Sequence, residues 1–408
     1  MRAVPTMKSP MSQRVGAIQP FQVVEMLARA KALEAQGRDI VHMQAGEPDF
    51  TTAPAIIEAG IAALTRGETQ YSDANGLWSL RQAIADYYRS DYGVDIDPKR
   101  VMITPGASGA LLLISALLVD RGRGVLMTDP GYPCNSNFIH LMEGESQLVP
   151  VGPEHGFQLT DELVNQYWRQ SQDGHPPTVA ALVASPANPT GAALSREALG
   201  ALFKAVDQQG GQLVVDEIYH GLDFRSAGIE RAITSIVELT DQAFVINSFS
   251  KYFGMTGWRL GWLVAPEWAL PGLEKLAQNL FISMSTMAQY AALQCFTPAT
   301  RALLDARRDE LQRRCDVLLP ALEAMGFIIP HYPEGGLYIY ADISGFNGRF
   351  GADSQAFCHW LLEEHGIALT PGADFGDYRS EDMVRFAFTT SLERITFAIE
   401  KMQRIFMV

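Results

Sequence analysis

Short runs of apolar residues alternate with longer amphipathic or turn-rich segments through the middle of this 408-residue chain. These apolar runs lie at 101–104, 125–128, 178–185, 212–216, 243–247 and 260–265. Strands that read as nearly continuous apolar runs are typical of a parallel sheet, because crossover helices cover both of its faces. We therefore predict an α/β fold with a mostly parallel central sheet covered by helices.

The pattern changes after about residue 295. A long polar-rich helix is predicted over 300–325, and the strands and helices that follow it alternate less regularly, up to a strand over 383–388 and a final helix. This arrangement is typical of a smaller α+β domain. We expect an N-terminal segment of residues 1–49 whose helix packs with the small domain, a large domain of residues 50–295 and a small C-terminal domain of residues 296–408.

Composition and charge exclude several classes of protein. Hydrophobic residues make up 47% of the chain and charged residues 19%, a balance found in globular rather than disordered proteins. The net charge of -14 repels phosphate backbones, so we expect no nucleic-acid partner. The longest apolar run, residues 110–119, is much shorter than the roughly 18 residues that a membrane-spanning helix needs, so we expect no membrane association.

The cysteines give no sign of a metal site or a disulfide framework. The four cysteines are Cys134, Cys295, Cys315 and Cys358, and no two of them have C-x-x-C spacing. Scattered cysteines suit a reducing compartment, and residues 1–14 lack the apolar core of a secretory signal. We therefore expect no bound metal and a cytoplasmic location.

Small and polar residues follow several of the predicted strands. The segment 104–110 (TPGASGA) opens a helix and can present backbone N–H groups to an anion. Tyr132 can stack on a flat ring, and Asn188 can donate a hydrogen bond into a cleft. Asp216 ends an apolar strand and needs a cationic partner such as a protonated ring nitrogen, and Tyr219 can reach the same pocket. Each motif alone also has an ordinary explanation as a turn or a helix cap.

The most specific motif is Ser248-Phe249-Ser250-Lys251, which is followed by a Gly-Met-Thr-Gly-Trp-Arg block ending at Arg259. A lysine after an apolar strand can bond to a carbonyl cofactor, while Ser248 and Arg259 hold the phosphate of that cofactor. By composition alone, a lysine among serines is more often a solvated surface charge. The order of five such motifs, each at a strand end, favours a cofactor site.

With these motifs the chain resembles the fold-type I pyridoxal-5′-phosphate enzymes, specifically the class I/II aminotransferases, from about residue 46 to residue 385. The specific parts are the N-P-T-G box, the D-x-x-Y strand end and the block S-F-S-K-x-x-G-M-T-G-W-R-L-G. The resemblance implies a seven-stranded sheet in the large domain, pyridoxal phosphate as cofactor and a homodimer with shared active sites. It also implies transfer of an amino group from an L-amino acid to a 2-oxo acid by a ping-pong mechanism.

The resemblance implies a role for each motif residue. Lys251 forms the Schiff base with the cofactor and then acts as general base, while Asp216 pairs with the pyridine nitrogen. Tyr132 stacks on the ring, and Asn188 and Tyr219 hold the phenolic oxygen. The residues implied for the phosphate are Ala107, Ser108, Ser248 and Arg259.

Three further residues are assigned by the resemblance alone. Tyr71 resembles a tyrosine that reaches the phosphate in the neighbouring subunit, Arg385 resembles the arginine that binds the substrate α-carboxylate, and Gly46 resembles a glycine that lines that carboxylate. Ala107 stands where glycine is frequent, and a charged stretch over 376–382 replaces the usual glycine-rich approach to the arginine. The implied substrate-binding residues are Gly46, Asn188 and Arg385.

Other functions share part of these motifs. A carbon–sulfur β-lyase of the same fold would use the same cofactor residues. Serine acyl-enzymes also carry an S-x-x-K run, but they need a K-T-G run further on, which this chain lacks. A non-enzymatic regulator would carry a DNA-binding module and lose the lysine. The amino donor stays open, and Asn279, Ser283 and Tyr338 are predicted to pack rather than to line the cleft.

Overall fold

The computed structural model of the protein describes residues 11–18, 22–171, 174–224 and 233–407. The helices in this part of the chain are α1 (Gln13–Ala17), α2 (Gln22–Glu34), α3 (Pro54–Thr65), α4 (Trp78–Tyr92), α5 (Gly106–Leu118), α6 (Cys134–Leu141), α7 (Asp161–Tyr167), α8 (Arg196–Gln208), α9 (Leu270–Leu280), α10 (Thr286–Ala292), α11 (Pro298–Ala324), α12 (Asn347–Phe350), α13 (Ser354–His365) and α14 (Leu392–Phe406). None of them is both long and apolar enough to cross a bilayer.

The strands of the described residues form three sheets. They are β1 (Val41–His42), β2 (Val101–Thr104), β3 (Gly124–Asp129), β4 (Glu145–Pro150), β5 (Thr178–Ala184), β6 (Gln212–Asp216), β7 (Phe244–Ser248), β8 (Gly261–Val264), β9 (Tyr338–Asp342), β10 (Ile367–Ala368), β11 (Thr370–Pro371) and β12 (Met383–Ala387).

The largest sheet has seven strands within the described residues, in the order β2-β8-β7-β6-β5-β3-β4. The pairs β3–β4, β3–β5, β5–β6 and β6–β7 are parallel, and β8 runs antiparallel to both of its neighbours. The predicted α/β fold with a mostly parallel sheet is therefore confirmed. The strand β4 is absent from the predicted apolar runs, because it is an edge strand whose residues 147–150 alternate between buried and exposed.

The carboxyl ends of β2, β3, β5, β6 and β7 lie at one edge of this sheet. The antiparallel strand β8 starts at that same edge, where Gly261 is the register partner of both Thr104 in β2 and Ser248 in β7. Open α/β sheets bind their ligands in the crevice outside the carboxyl ends of the strands. The segments that follow these five strands therefore lie close together at one edge of the sheet.

Aromatic side chains fill the core on one side of the central sheet. Trp262 of β8 is fully buried, and its ring centroid lies 4.8 Å from that of Phe249. Its indole N–H donates a hydrogen bond to the Tyr88 hydroxyl at 3.2 Å. Such aromatic pairs add about 0.5–1.5 kcal/mol beyond the area that they bury. This packing holds the Ser248–Lys251 turn in place, because Phe249 lies inside that turn.

The remaining sheets belong to the second half of the chain and the N-terminal segment. The antiparallel sheet has the order β11-β12-β9, and β1 pairs in parallel with β10. Helix α2 contacts β10 and β11, which lie in the C-terminal part of the molecule. This pairing brings residues 44–46, which follow β1, towards the central sheet.

Gly261 occupies a position that leaves no room for a side chain. A Cβ atom there would lie 2.7 Å from the carbonyl carbon of Gly106, 2.8 Å from the Asn247 carbonyl oxygen and 2.9 Å from the Ala107 nitrogen. All three are backbone atoms, so they cannot move without displacing β7 or the first turn of α5. The close approach of β8 and α5 thus requires glycine at this position.

We expect Gly261→Ala to lower the free energy of unfolding by about 1–3 kcal/mol, because overpacking forces the backbone to shift. The control is Gly200→Ala in α8, where a Cβ atom meets only Leu239 Cδ1, at 3.8 Å. Alanine is the better helix former, so this control should leave stability unchanged or raise it by about 0.5–1 kcal/mol. Urea unfolding of both variants measures the difference, and equal effects would contradict the tight packing at Gly261.

Candidate active site

The predicted site residues line one cavity of about 500 Å³ at the carboxyl edge of the central sheet. Its walls contain Gly46, Ala107, Ser108, Tyr132, Asn188, Asp216, Tyr219, Ser248, Lys251, Arg259 and Arg385. Tyr71 is the exception, since it lies outside these walls and its side chain is 81% exposed. A single chain therefore brings together every predicted site residue except Tyr71.

Lys251 lies in the turn that follows β7. Its Nζ donates a hydrogen bond to the Gly46 carbonyl oxygen at 2.8 Å and lies 5.9 Å from the ring centroid of Tyr219. Gly46 itself is closely packed, because a Cβ atom there would lie 1.9 Å from the Tyr338 hydroxyl oxygen. The amine is thus held inside the cavity between the N-terminal segment and the central sheet, and it is not a solvated surface charge.

Asp216 is a buried carboxyl group at the end of β6, with 3% of its surface exposed. Burial raises the pKa of Asp216 to about 7, because the charged form loses its hydration. A hydrogen bond from the Ile218 backbone N–H at 3.1 Å and the charge of Lys251 oppose that rise in pKa. A cation bound in the cavity next to Asp216 would favour its ionised form.

Backbone N–H groups and a guanidinium meet at the start of α5. Gly106 opens this helix with a φ of +70°, and a Cβ atom there would lie 2.8 Å from Nη2 of Arg259. Arg259 also donates from Nη1 to the Thr256 carbonyl oxygen at 3.0 Å. The N-terminus of a 13-residue helix with a cation beside it is a site suited to a phosphate group. Ala107 and Ser108 lie in the first turn of that helix.

Arg385 is a buried cation with 2% of its surface exposed. Its Nη1 donates to the Asn188 Oδ1 at 2.8 Å, and its Nη2 donates to the Gln44 carbonyl oxygen at 2.6 Å and to the Thr370 hydroxyl at 3.1 Å. Among the described residues no carboxylate forms an ion pair with it, and its Nε has no hydrogen-bond partner. A buried charge without a counter-ion is costly, so this position favours a bound anion.

Two aromatic rings contact the guanidinium of Arg385 and fix its orientation. The guanidinium carbon lies 4.1 Å from the ring centroid of Tyr338 and 4.8 Å from that of Phe375. Cation–π contacts of this kind contribute about 0.5–2 kcal/mol each. Because these rings contact the flat face of the guanidinium, hydrogen bonds are made by the N–H groups at its edge. This arrangement suits two-point binding of a carboxylate.

Tyr338 corrects one expectation from the sequence. It was predicted to pack, but it lines the cavity, and its hydroxyl lies 3.0 Å from that of Tyr219. Asn279 and Ser283 lie outside the cavity walls, but Asn279 is exposed to solvent rather than packed as predicted. The sequence also gives no local signal for Gln44 and Thr370. The pairing of β1 with β10 brings Gln44 to Arg385, and the pairing of β11 with β12 places Thr370 opposite Arg385.

The family of the chain follows from comparison with known proteins. The family model for aminotransferase class I and II matches residues 38–402. The chain belongs to this family. It is 36% identical over 372 residues to the valine–pyruvate aminotransferase of Mycobacterium tuberculosis, a match that covers 91% of this chain and 92% of the relative. It is 31% identical to the aspartate aminotransferase of Thermotoga maritima, with 96% of this chain and 98% of the relative covered.

Solved structures agree with the sequence comparison. A crystal structure of an aminotransferase from Mycobacterium tuberculosis superimposes with a TM-score of 0.90 at 34% identity, covering 98% of this chain and 99% of the other. A single mutant of the Thermus thermophilus aspartate aminotransferase gives a TM-score of 0.88 at 32% identity, covering 98% and 100%. The predicted membership of the fold-type I family is confirmed.

The protein is therefore a pyridoxal phosphate-dependent aminotransferase. Its amino acid and 2-oxo acid substrates follow from the family, and the relatives named above support transamination rather than the β-lyase or serine acyl-enzyme reactions. The cavity fits the cofactor, because it places a phosphate-binding helix start, a buried acid and a lysine amine in its walls. No cluster of histidine, cysteine or carboxylate groups within the described ranges could hold a metal ion.

The raised pKa of Asp216 predicts how the stability of the cofactor-free protein depends on pH. The folded protein binds a proton at Asp216 more tightly than the unfolded chain does, so the folded state loses stability as pH rises from about 4 to about 7. Asp216→Asn removes this loss. We expect the variant to gain stability relative to the unsubstituted apoprotein across this pH range, by about 4 kcal/mol at most above pH 7.

Urea unfolding of both apoproteins at several pH values measures this difference. Asp207→Asn, an exposed position in α8, is the control and should show no such trend. A difference between the Asp216 variant and the unsubstituted protein that stays constant from pH 4 to pH 8 would show that Asp216 is not a buried acid with a raised pKa.

Proposed function

We propose that this aminotransferase binds both of its substrates through Arg385 and moves the Cα proton through Lys251. The observation that carries the proposal is the buried guanidinium of Arg385, which has no carboxylate partner among the described residues and lines the same cavity as the Lys251 amine. An α-carboxylate would supply the missing counter-ion. The substrate would then be held by two hydrogen bonds with its Cα inside the cavity.

The remaining cavity residues are proposed to hold the cofactor. Ala107, Ser108, Ser248 and Arg259 would bind its phosphate, Tyr132 would stack on its ring, and Asn188 with Tyr219 would hold its phenolic oxygen. Asp216 would face the ring nitrogen. Pyridoxal phosphate, when bound, supplies an aldehyde that bonds to amines and a ring that takes up the electron pair left by the Cα proton. The ionised form of Asp216 keeps the ring nitrogen protonated, and this pairing offsets the cost of burying the carboxylate.

Lys251 is proposed to carry the proton between two positions. Its Nζ lies 2.8 Å from the Gly46 carbonyl oxygen, which holds a neutral or charged amine in place without removing its proton. Lys251 is half-buried beside the face of the Tyr219 ring, and its amine in the neutral form is a competent base for the Cα proton. The same amine can then return the proton at a neighbouring atom.

One carboxylate site implies that donor and acceptor bind in turn. Among the described residues, the cations in the walls of this cavity are Lys251, Arg259 and Arg385. Arg259 is proposed to bind phosphate and Lys251 to move a proton, so Arg385 is the cation left for a carboxylate. The amino acid and the 2-oxo acid both need it for their α-carboxylates, so the first product must leave before the second substrate enters. This requirement supports the ping-pong order of the reaction.

We expect two substitutions to separate the proposed roles. Lys251→Ala abolishes amino transfer from alanine to 2-oxoglutarate and removes the visible, borohydride-reducible absorbance of the bound cofactor. Arg385→Lys keeps that absorbance but raises KM for the amino acid by about 10- to 100-fold, because lysine cannot make the two-point contact. Steady-state kinetics and absorbance spectra of the purified holoenzymes measure both effects.

Normal turnover by Lys251→Ala would exclude Lys251 as the base. An unchanged KM for every amino acid tested in Arg385→Lys would exclude Arg385 as the carboxylate site.

A homodimer with shared active sites is part of the proposal. Helix α3 exposes Ile57, Ile61 and Leu64, which are 38%, 59% and 54% exposed, and Tyr71 lies a few residues beyond its end. Clustered exposed apolar residues are typical of a surface that another protein covers. A second copy of the chain would cover this surface and place Tyr71 at the phosphate of its neighbour.

Mixed dimers test whether Tyr71 acts across subunits. Lys251→Ala and Tyr71→Phe subunits are unfolded, mixed in equal amounts and refolded together. A mixed dimer has one site with both substitutions and one site with neither, so the mixture should regain about a quarter of the activity of the unsubstituted enzyme. The control is each variant refolded alone. If the mixture has only the mean activity of the two controls, Tyr71 acts in the active site of its own chain or in neither active site.

Two further proposals concern the whole chain. We propose that residues 1–49, 50–295 and 296–408 are the N-terminal segment, the large cofactor-binding domain and the small domain, supported by the separate sheets of the two larger parts. We also propose a cytoplasmic location. The four cysteines are all free thiols, which supports a reducing compartment.

A further inference from the structure

A second cavity of about 690 Å³ lies beside the active-site cavity, and we call it the side cavity. Its walls include segment 131–137, which follows β3, and segment 373–377, which precedes β12. Tyr132, Ala184 and Asn188 lie in the walls of both cavities. The side cavity therefore adjoins the place where the reaction occurs, yet none of the proposed cofactor contacts needs its far end.

The charged lining of the side cavity is acidic. Among the described residues that line it there is no lysine or arginine, and its carboxylates are Glu25, Asp374 and Asp377. The active-site cavity, in contrast, carries cations at its phosphate and carboxylate ends. A ligand group that extends from the active-site cavity into the side cavity thus passes from a basic into an acidic environment.

A buried acceptor in the side cavity lacks a partner. Asn135 is 9% exposed, and its Oδ1 atom has no hydrogen bond within the described structure. The ring nitrogen Nδ1 of His140, on the same helix α6 and in the same wall, also has none. An unpaired buried acceptor costs about 1–3 kcal/mol, so a ligand group that donates an N–H or O–H to it would be stabilised.

The side cavity is connected to the proposed carboxylate site by direct contacts. Phe375 lines it and lies 4.8 Å from the guanidinium carbon of Arg385. Asn188 lines it too and accepts a hydrogen bond from Arg385 at 2.8 Å. An amino acid whose α-carboxylate is bound to Arg385 therefore has the opening of the side cavity within reach of its side chain.

We propose that the side cavity binds the side chain of the amino acid substrate and selects amide, hydroxyl or ammonium groups over carboxylates. This inference rests on the proposed function, because it takes Arg385 as the α-carboxylate site. A side-chain carboxylate would meet Asp374 and Asp377 with no lysine or arginine in the described walls to pair with, and like charges in a partly buried space repel each other. A donor group would instead satisfy Asn135.

Glutamine and glutamate test the inference, because they have nearly the same shape and differ in charge. We follow the donor half-reaction of the full-length holoenzyme, with no acceptor added, as the change in cofactor absorbance. We expect kcat/KM for glutamine to exceed that for glutamate by about tenfold or more. Alanine is the control donor, because its methyl group is too short to enter the side cavity. The 2-methyl derivatives of both amino acids cannot lose a Cα proton, and their dissociation constants, measured by calorimetry, should show the same order.

Substitutions in the wall identify the residues responsible. Asn135→Leu should lower kcat/KM for glutamine by about tenfold and leave alanine within about twofold, because leucine keeps the volume but removes the acceptor. Asp377→Lys, at an exposed position of the wall, should reduce the preference for glutamine by about fivefold or more. Asp207→Lys makes the same charge change on α8, outside both cavities, and should leave the preference unchanged.

The outcomes separate this inference from the proposed function. If alanine reacts and glutamate reacts as fast as glutamine, the assignment of the side cavity is overturned but the proposed function is not. An equal change of preference in Asp377→Lys and Asp207→Lys overturns it as well. Absence of transfer from every donor, alanine included, overturns the proposed function and this inference with it.

Discussion

The common direction of five strands in the central sheet is the constraint on which the site depends. Because β2, β3, β5, β6 and β7 all end at one edge, the segments that follow them meet there, although they are far apart in the chain. The antiparallel strand β8 begins at that edge, and its tight approach to α5 through Gly261 sets Arg259 beside the start of that helix. The start of α5 with its guanidinium, a buried acid and an amine therefore share one cavity because of strand direction together with this close approach.

Two buried charged groups at this edge explain why a ligand belongs there. Asp216 and Arg385 are both almost fully enclosed, and neither forms an ion pair within the described residues, although the charge of Lys251 acts on Asp216. The protein holds Arg385 in place with neutral acceptors and two aromatic rings. These contacts orient the guanidinium without neutralising it. The unfavourable burial of each charge is offset when a cationic ring nitrogen and an α-carboxylate bind, so affinity and orientation have the same source.

Local electrostatics differ from the average charge of the molecule. The chain carries a net charge of -14, yet Arg259 and Arg385 make basic the two parts of the active-site cavity that are proposed to bind phosphate and carboxylate. The charged residues that line the side cavity are acidic, like the chain as a whole. In the proposed function, a few fixed groups at short range would bind the anionic cofactor and the α-carboxylate. The acidic surroundings would act on the part of the substrate that extends away from them.

The sequence alone determined the fold class, the large set of strand-end motifs and the family, because apolar periodicity and the spacing around Lys251, Asp216 and Asn188 are local properties of the chain. It did not show β4, whose alternating edge pattern resembles a surface loop. Tyr338, Gln44 and Thr370 at the carboxylate site, and the acidic side cavity, were decided by the tertiary structure. The three residues come from β9, from the chain after β1 and from β11, and only the pairing of these elements places them beside Arg385. Gln44 is 341 residues from Arg385 in the chain.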